Sequence, residues 1–185
     1  FKHRAVMDEI MDRFPYTAKL AAVAVVLTIV MSIPIGIVAA VKQNSWFDNL
    51  SLVVTLFGIS MPVFWLGLLL IILFALRLGL LPTGGAETWK GYILPAFCLA
   101  FSNMSTVART TRSSMLETIR QDYVRTARAK GVSKGKVIRK HAFRNALIPT
   151  ITVIGIQISQ LLGGSVVVET VFAWPGVGRL MIESI

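Results

Sequence analysis

Charge is what this 185-residue sequence is short of. Asp, Glu, Lys and Arg make up 15% of it, against roughly 25% in ordinary soluble domains. Apolar types make up 55%, and the mean hydropathy is +0.70. That balance excludes a water-soluble globule. It also excludes a disordered chain, which needs low hydrophobicity and high charge. A single cysteine, Cys98, rules out a disulfide framework and a cysteine-built metal site. The two histidines, His3 and His141, are far apart, and no carboxylate and histidine stand at metal-ligand spacing. There is no initiating methionine, no leader pattern of basic, apolar and small-residue regions, and no obvious terminus at Ile185. The chain therefore reads as one domain's worth of a longer protein.

Four blocks hold no charged residue at all: 20–41, 49–76, 91–108 and 145–168. A membrane-spanning helix needs about 20 mostly apolar residues. Three of the blocks meet that plainly, and 91–108 is shorter and more polar. Four such runs leave too little polar surface to cover them in water. Backbone groups in lipid must bond within their own segment, so the runs are predicted to be α-helices. Pro34, Pro62, Pro95 and Pro149 fall inside or near the starts of these runs. Pro149 suits a helix start, where a missing N–H costs nothing. Pro62 is interior and predicts a kink or local break. Small residues recur every fourth position at Ser32, Gly36 and Ala40, at Ala96 and Ala100, and at Gly155, Ser159 and Gly163. That spacing lets helix backbones approach closely in lipid.

The net charge of +10 resembles a nucleic-acid signal until it is located. Segment 109–144 holds eleven Lys and Arg against two acids, Glu117 and Asp122, a difference of nine. A cation at the centre of a spanning helix costs about 2.5–3.5 kcal/mol, so this loop lies outside the hydrocarbon. The positive-inside bias assigns it to the cytoplasm. Alternation then makes 42–48 cytoplasmic as well, with 1–14, 77–90 and 169–185 external. Phe1–Phe14 has apolar residues at helical spacing and reads as an amphipathic helix along the membrane or a packed helix of an upstream part.

The basic loop is too long for a plain turn, and it has helical order. Tyr123, Val124, Ala127 and Gly131 fall on one stripe, with Arg125 and Arg128 pointing away. Gly131 can end that helix in a left-handed conformation, and Ser133 can cap a second helix to about Asn145. A short helix of this kind fits either a docking piece for a soluble partner or a basic segment lying on anionic lipid. Only Tyr123 and Phe143 interleave with the cations, too few aromatics for nucleic acid. Gly131–Val137 is no phosphate loop: three residues separate its glycines, and Val137 follows the lysine.

Arg125-Thr126-Ala127-Arg128-Ala129-Lys130-Gly131, with Asn145-Ala146-Leu147-Ile148-Pro149 after it, resembles the "EAA" loop of ABC-importer membrane subunits of the type I permease fold. Arg125-Thr126 replaces Glu-Ala, and the spacer to Pro149 is longer. Both departures are usual in the dipeptide, oligopeptide and nickel branch. His141–Ala146 and Glu169–Gly178 are similar to that branch too. The resemblance implies an all-α polytopic membrane bundle with a cytoplasmic helix–Gly–helix coupling loop, in a multi-pass protein of the prokaryotic plasma (inner) membrane. It implies half of a translocation path for di- or oligopeptides or nickel. The expected partners are a second permease subunit in a heterodimer, two cytoplasmic ATP-binding subunits and an external substrate-binding protein. No catalytic residue, metal or cofactor is expected in this chain, because ATP and Mg belong to the ATPase subunits.

On that resemblance the coupling helix maps to Tyr123–Gly131, with Tyr123, Val124, Arg125, Thr126, Ala127, Arg128 and Gly131 as its residues. Its small stripe would dock in a groove on the ATPase, and the second loop helix and Pro149 would pass the movement on. Ser60, Ser102, Asn103, Gln157 and Gln160 are the polar residues of the runs and the candidates for a pore lining; interhelical hydrogen bonding is the simpler role for some of them. Glu169, Trp174, Pro175 and Gly176 are expected in an external re-entrant or surface turn lining a gate, or else in a plain loop with Trp174 at the membrane interface. The competing function is a channel or secondary carrier that works without ATPases, and a scaffold whose basic loop binds lipid or nucleic acid is a further rival. No run carries a charge, which counts against proton- or ion-coupling.

Overall fold

The computed structural model describes residues 6–185, apart from the side chains of 162–164. All regular structure among the described residues is helical. Helix α1 (Val6–Val41) leads through a short turn to α2 (Trp46–Ser60). Helix α3 (Val63–Leu70) continues as a π-helical stretch, Ile71–Arg77, and a 3-10 turn, Trp89–Tyr92, opens onto α4 (Ile93–Ile119). The basic loop holds α5 (Asp122–Ala129) and the single turn α6 (Lys134–Lys136). A π-helical stretch, Val137–Phe143, joins α6 to α7 (Arg144–Gly164), and α8 (Val166–Val171) and α9 (Val177–Glu183) follow.

The charge-free runs become helices whose ends differ from those read in the sequence. α1 continues without a break from Val6 through Pro15 and Pro34. Its 36 residues extend over roughly 54 Å, beyond the ~30 Å of hydrocarbon. An amphipathic helix at 1–14, turned aside from the first run, is thus replaced by an extension of that run; the first five of its residues lie outside the described part. α4 likewise carries the third run past Ala108 to Ile119, so the first third of the basic loop is helix. Pro95 sits in the first turn of α4, where its missing N–H is not needed.

Pro62 does more than kink its run. Its ψ of 134° is extended, so the chain leaves the helical path between Ser60 and Val63. Its carbonyl then accepts the N–H groups of Trp65 and Leu66 and starts α3. The 15 residues of α2 cover roughly 22 Å, too short to cross alone. Val6–Val41 and Trp89–Ile119 are each long and apolar enough to cross a membrane, and the two pieces flanking Pro62 are so only together. Pro149 is also displaced from its expected place: it lies inside α7, because helix already runs in from the π-helical stretch.

The described residues group into two compact units. One takes the chain up to Leu27 with Met61–Ser102 and Gln157–Ile185, and the other takes Thr28–Ser60 with Asn103–Ile156. The first is built on Leu20, Ala24, Leu94, Ala96, Cys98, Leu161, Phe172 and Trp174. Ala96 is fully buried there, and Cys98 points its Sγ to the Val63 carbonyl at 3.3 Å. In the second, Ala40, Met115, Ala142 and Ala146 form the core, with Thr28, Ser32 and Gly36 along the same buried stripe of α1. Gly36 meets α4 there: a Cβ on it would lie 2.6 Å from Thr111 Cβ and 2.7 Å from the Ala108 carbonyl oxygen. The small-residue spacing of α1 therefore has the close approach it predicts. In α7 the corresponding Gly155 and Ser159 are exposed, and the side-chain position of Gly163 lies outside the described part.

Large apolar side chains remain exposed along several helices, among them Val26 and Val30 of α1, Leu56 and Phe57 of α2, and Ile148, Ile151 and Ile156 of α7. Soluble monomers rarely expose contiguous apolar patches larger than a few hundred Å². Together with the helix lengths, this is the surface of a protein that sits in lipid. Replacing Gly36 by Ala is expected to cost about 1–3 kcal/mol through overpacking. Gly135→Ala, where nothing lies within 4 Å, should be neutral or slightly stabilising. Thermal unfolding in detergent measures both.

Candidate functional site

α5 is amphipathic by its own sequence, and its apolar residues are used inside the chain. Val124 and Ala127 are buried, packed with Val137 and the partly buried Val132. The helix stops at Gly131, whose φ of +78° is left-handed and suits a residue without Cβ. The Val132 N–H bonds the Ala127 carbonyl at 3.2 Å and the Gly131 N–H bonds the Arg128 carbonyl at 2.9 Å. These two bonds make a Schellman stop, and Val132 supplies its hydrophobic contact. Ser133 stands at the start of the next turn as expected, but its hydroxyl makes no capping bond. Asn145 at the foot of α7 donates to the Tyr123 hydroxyl at 2.8 Å and to the His141 carbonyl at 3.1 Å, which ties α5 to α7.

This geometry corrects the expected docking stripe. Val124 and Ala127 face this chain, where they cluster with Val137 and Val132. Tyr123, Arg125, Thr126 and Arg128 are exposed and form the outward face, with Gly131 exposed beyond them. Any partner of α5 thus meets polar and cationic groups around one tyrosine. An ion pair within this face, Arg125 with Asp122 at 3.7 Å, is largely in solvent and contributes little.

Two charged clusters were not foreseen. Asp48 is 1% exposed and takes a two-pronged bond from Arg112, Nε to Oδ1 at 2.6 Å and Nη2 to Oδ2 at 2.8 Å. The Asn44 N–H adds a third donor at 2.9 Å. The pair joins the start of α2 to α4 across 64 residues of sequence. The usable signal was that Asp48 is the sole acid between Asp12 and Glu87.

The second cluster surrounds Glu169, which is fully buried. Thr17 Oγ1 donates to its Oε1 at 2.7 Å and Ser165 Oγ at 3.1 Å. The Arg179 N–H, in the first turn of α9, donates to its Oε2 at 3.1 Å. Gly176 and Gly178 press against the carboxylate so closely that a Cβ on either would strike it. Trp174 is fully buried as well; its Nε1 bonds the Tyr16 carbonyl at 3.2 Å, and its ring meets Tyr92 edge to face at 4.5 Å. Glu169, Trp174 and Gly176 are therefore buried in a corner between α8 and α9, with Pro175 half-buried beside them. Trp174 is no interface anchor, since its ring is enclosed, and the carboxylate joins local donors, Ser165 and Arg179, to Thr17 of α1.

The five candidate pore residues lie on α2, α4 and α7. Ser60 and Gln160 are exposed, and Ser102, Asn103 and Gln157 are half-buried. Ser60 and Asn103 belong to one unit and Ser102, Gln157 and Gln160 to the other. Among the described residues no three His, Cys, Asp or Glu stand together as a metal site would need.

The fold is that of ABC-transporter membrane components. It superposes on a structure of the MetNI methionine ABC transporter in an inward-facing conformation with a TM-score of 0.77 at 20% identity, covering 96% of this chain and 80% of that one. An amino acid ABC transporter gives 0.74 at 17% identity, over 97% and 79%. The sequence then fixes the group: residues 32–185 match the family described as "Binding-protein-dependent transport system inner membrane component", and the chain belongs to that family, as a multi-pass protein of the bacterial inner membrane. It is 48% identical over 182 residues to the glutathione transport system permease protein GsiC of Escherichia coli (strain K12) and to that of Shigella dysenteriae serotype 1. The match takes in 98% of this chain and 60% of those relatives, so the chain spans about three-fifths of their length.

Gly131→Ala is expected to destabilise the end of α5 by about 1–2 kcal/mol, because an L side chain at positive φ is strained. Gly131→Asn should cost less. Hydrogen exchange of the α5 amides reads both. Glu169→Ala strands three donors and should cost at least about 2 kcal/mol, whereas Glu169→Gln keeps the Thr17 acceptor and should fall between; thermal unfolding in detergent measures the series.

Proposed function

We propose that this chain is the core of a permease subunit of an ATP-driven importer, forming half of a translocation path and drawing its power from separate ATPase subunits. The observation that carries the coupling part is the state of α5. Its apolar residues are already satisfied, a Schellman stop fixes its length, and its cationic face is left open. The helix is joined through two residues to α4 and through Asn145 to α7. A rigid peg held this way can pass displacement into two long helices. ATP binding in the partner supplies the bias, since a switch needs differential binding to its two states. Membership in a family of binding-protein-dependent systems supports an external binding protein and an ATPase pair. A second permease subunit, whether identical or different, would meet the exposed apolar faces that lipid does not.

In this reading the basic loop is cytoplasmic, and the Glu169–Gly176 corner is a rigid external element beside the gate. Ser60, Ser102, Asn103, Gln157 and Gln160 contribute to the path. The substrate is a short peptide or a peptide-like compound. The name of the glutathione permeases at 48% identity supports that class, and with it a preference for small peptides over nickel. Uptake of labelled glutathione, a dipeptide and Ni²⁺ in a strain lacking the permease gene ranks the three; uptake of Ni²⁺ alone overturns the peptide assignment.

The coupling role is tested in the assembled transporter. Charge reversal of Arg125 and Arg128 to Glu should abolish substrate-stimulated ATPase activity while membrane insertion stays normal. A cysteine at Thr126 should crosslink to an ATPase subunit. Undiminished stimulation in the reversed variant, with no crosslink, defeats the docking face.

A further inference from the structure

We propose that Asp48 and Arg112 are positioning residues that make α2 move as one piece with α5, so that the coupling helix drives the break at Pro62. The inference rests on the coupling reading above and adds a route to it.

The route is continuous in the structure. α4 runs unbroken from Arg112 to Ile119. Its last turn closes into α5 through bonds from the Arg120 N–H to the Glu117 carbonyl and from the Gln121 N–H to the Thr118 carbonyl. The turn after α1 and the start of α2 grip this route at two points. Asp48 holds Arg112, and eight residues further on Arg120 Nη2 donates to Gln43 Oε1 at 3.4 Å. The second grip is exposed and weak; the first is buried and two-pronged. An arginine fork fixes orientation as well as distance.

Asp48 is in turn part of α2. Its carbonyl accepts the Ser51 hydroxyl at 2.8 Å, and its carboxylate holds the Asn44 N–H, with Asn44 itself at a φ of +63°. The packing of α2 on α1 is looser, leaving an apolar groove of about 320 Å³ lined by Pro34, Ile35, Val38, Phe47, Leu50 and Val54. Apolar contact of that sort is not directional; Leu52 and Thr55 of α2 also lie beside Ala108 and Arg109 of α4 around a small cavity, and the ion pair adds a fixed orientation to that contact. At its far end α2 finishes at Ser60, and Pro62 follows in an extended conformation. A few residues outside regular helix can absorb large dihedral changes. The helix on one side of that break is therefore tied by a buried, oriented pair to α4, whose last turn leads into the coupling helix.

The test uses the full-length permease in the assembled transporter, reconstituted in vesicles with its ATPase and binding-protein partners. Asp48→Asn and Arg112→Gln should each lower substrate transported per ATP hydrolysed by about tenfold, at unchanged amounts of assembled complex. The Thr126 cysteine should still crosslink to the ATPase in both, which separates loss of this route from loss of docking. Transport per ATP at the wild-type value in either variant, or a loss that follows the amount of assembled complex, overturns the proposal. A second measurement does not depend on transport. Spin labels at exposed Asn49 and Gln121 should keep one separation with and without ATP in the wild type and take a broadened distribution in Asp48→Asn. A separation that shifts with ATP in the wild type, or that is unaffected in Asp48→Asn, overturns it equally.

Discussion

Taking a carboxylate out of water costs several kcal/mol unless donors converge on it, and this protein meets that condition once in each of its compact units. Glu169 and Asp48 are its fully buried acids. Glu169 collects two hydroxyls and one backbone N–H from α1, the end of α7 and α9. Asp48 collects a guanidinium fork and a backbone N–H. Each can be satisfied only when segments remote in sequence arrive together. The two sites therefore select one arrangement of helices that apolar packing alone would leave less sharply defined. Their role here is specificity of arrangement, since buried ion pairs are weak contributors to net stability.

Within the unit that holds Asp48, helices also pack through small side chains. Hydrophobic sorting does not drive helices together in lipid, because lipid tails are as apolar as leucine. Close approach and shape do it instead, and Gly36 against Ala108 and Thr111 shows the degree of fit. On α7, Gly155 and Ser159 are exposed beside the large apolar residues Ile148, Ile151 and Ile156, the small-next-to-large composition of a helix surface that packs closely.

The basic loop shows how a short soluble helix is made rigid at little cost. Eight residues are too few for a stable isolated helix in water. α5 is held because two apolar residues plug into Val132 and Val137, Gly131 ends it cleanly, and Tyr123 bonds Asn145. What is left outward is charged and polar. That stiffness towards its own chain suits α5 to the coupling role proposed for it.

Much of this could be read from residue order. The charge-free runs, the small-residue stripe at Ser32, Gly36 and Ala40, and the left-handed stop at Gly131 depend on local chemistry: hydropathy, side-chain size and backbone sterics. The helical nature of the fold and its membrane class follow from the same local rules. Other features were decided only by tertiary contact. The stripe of Val124 and Ala127 was legible as apolar, but periodicity cannot say whether its neighbour is a partner protein or a turn of the same chain. Helix persists through Pro15 and Pro149, which the sequence rule for proline does not anticipate. Trp174 and Glu169 look like surface residues of a loop until Thr17, 152 residues earlier, is brought beside them. Asp48 and Arg112 meet for the same reason. A buried charge is paired by whatever the fold delivers to it, and that delivery is a property of the packed helices, which a linear order of residues does not contain.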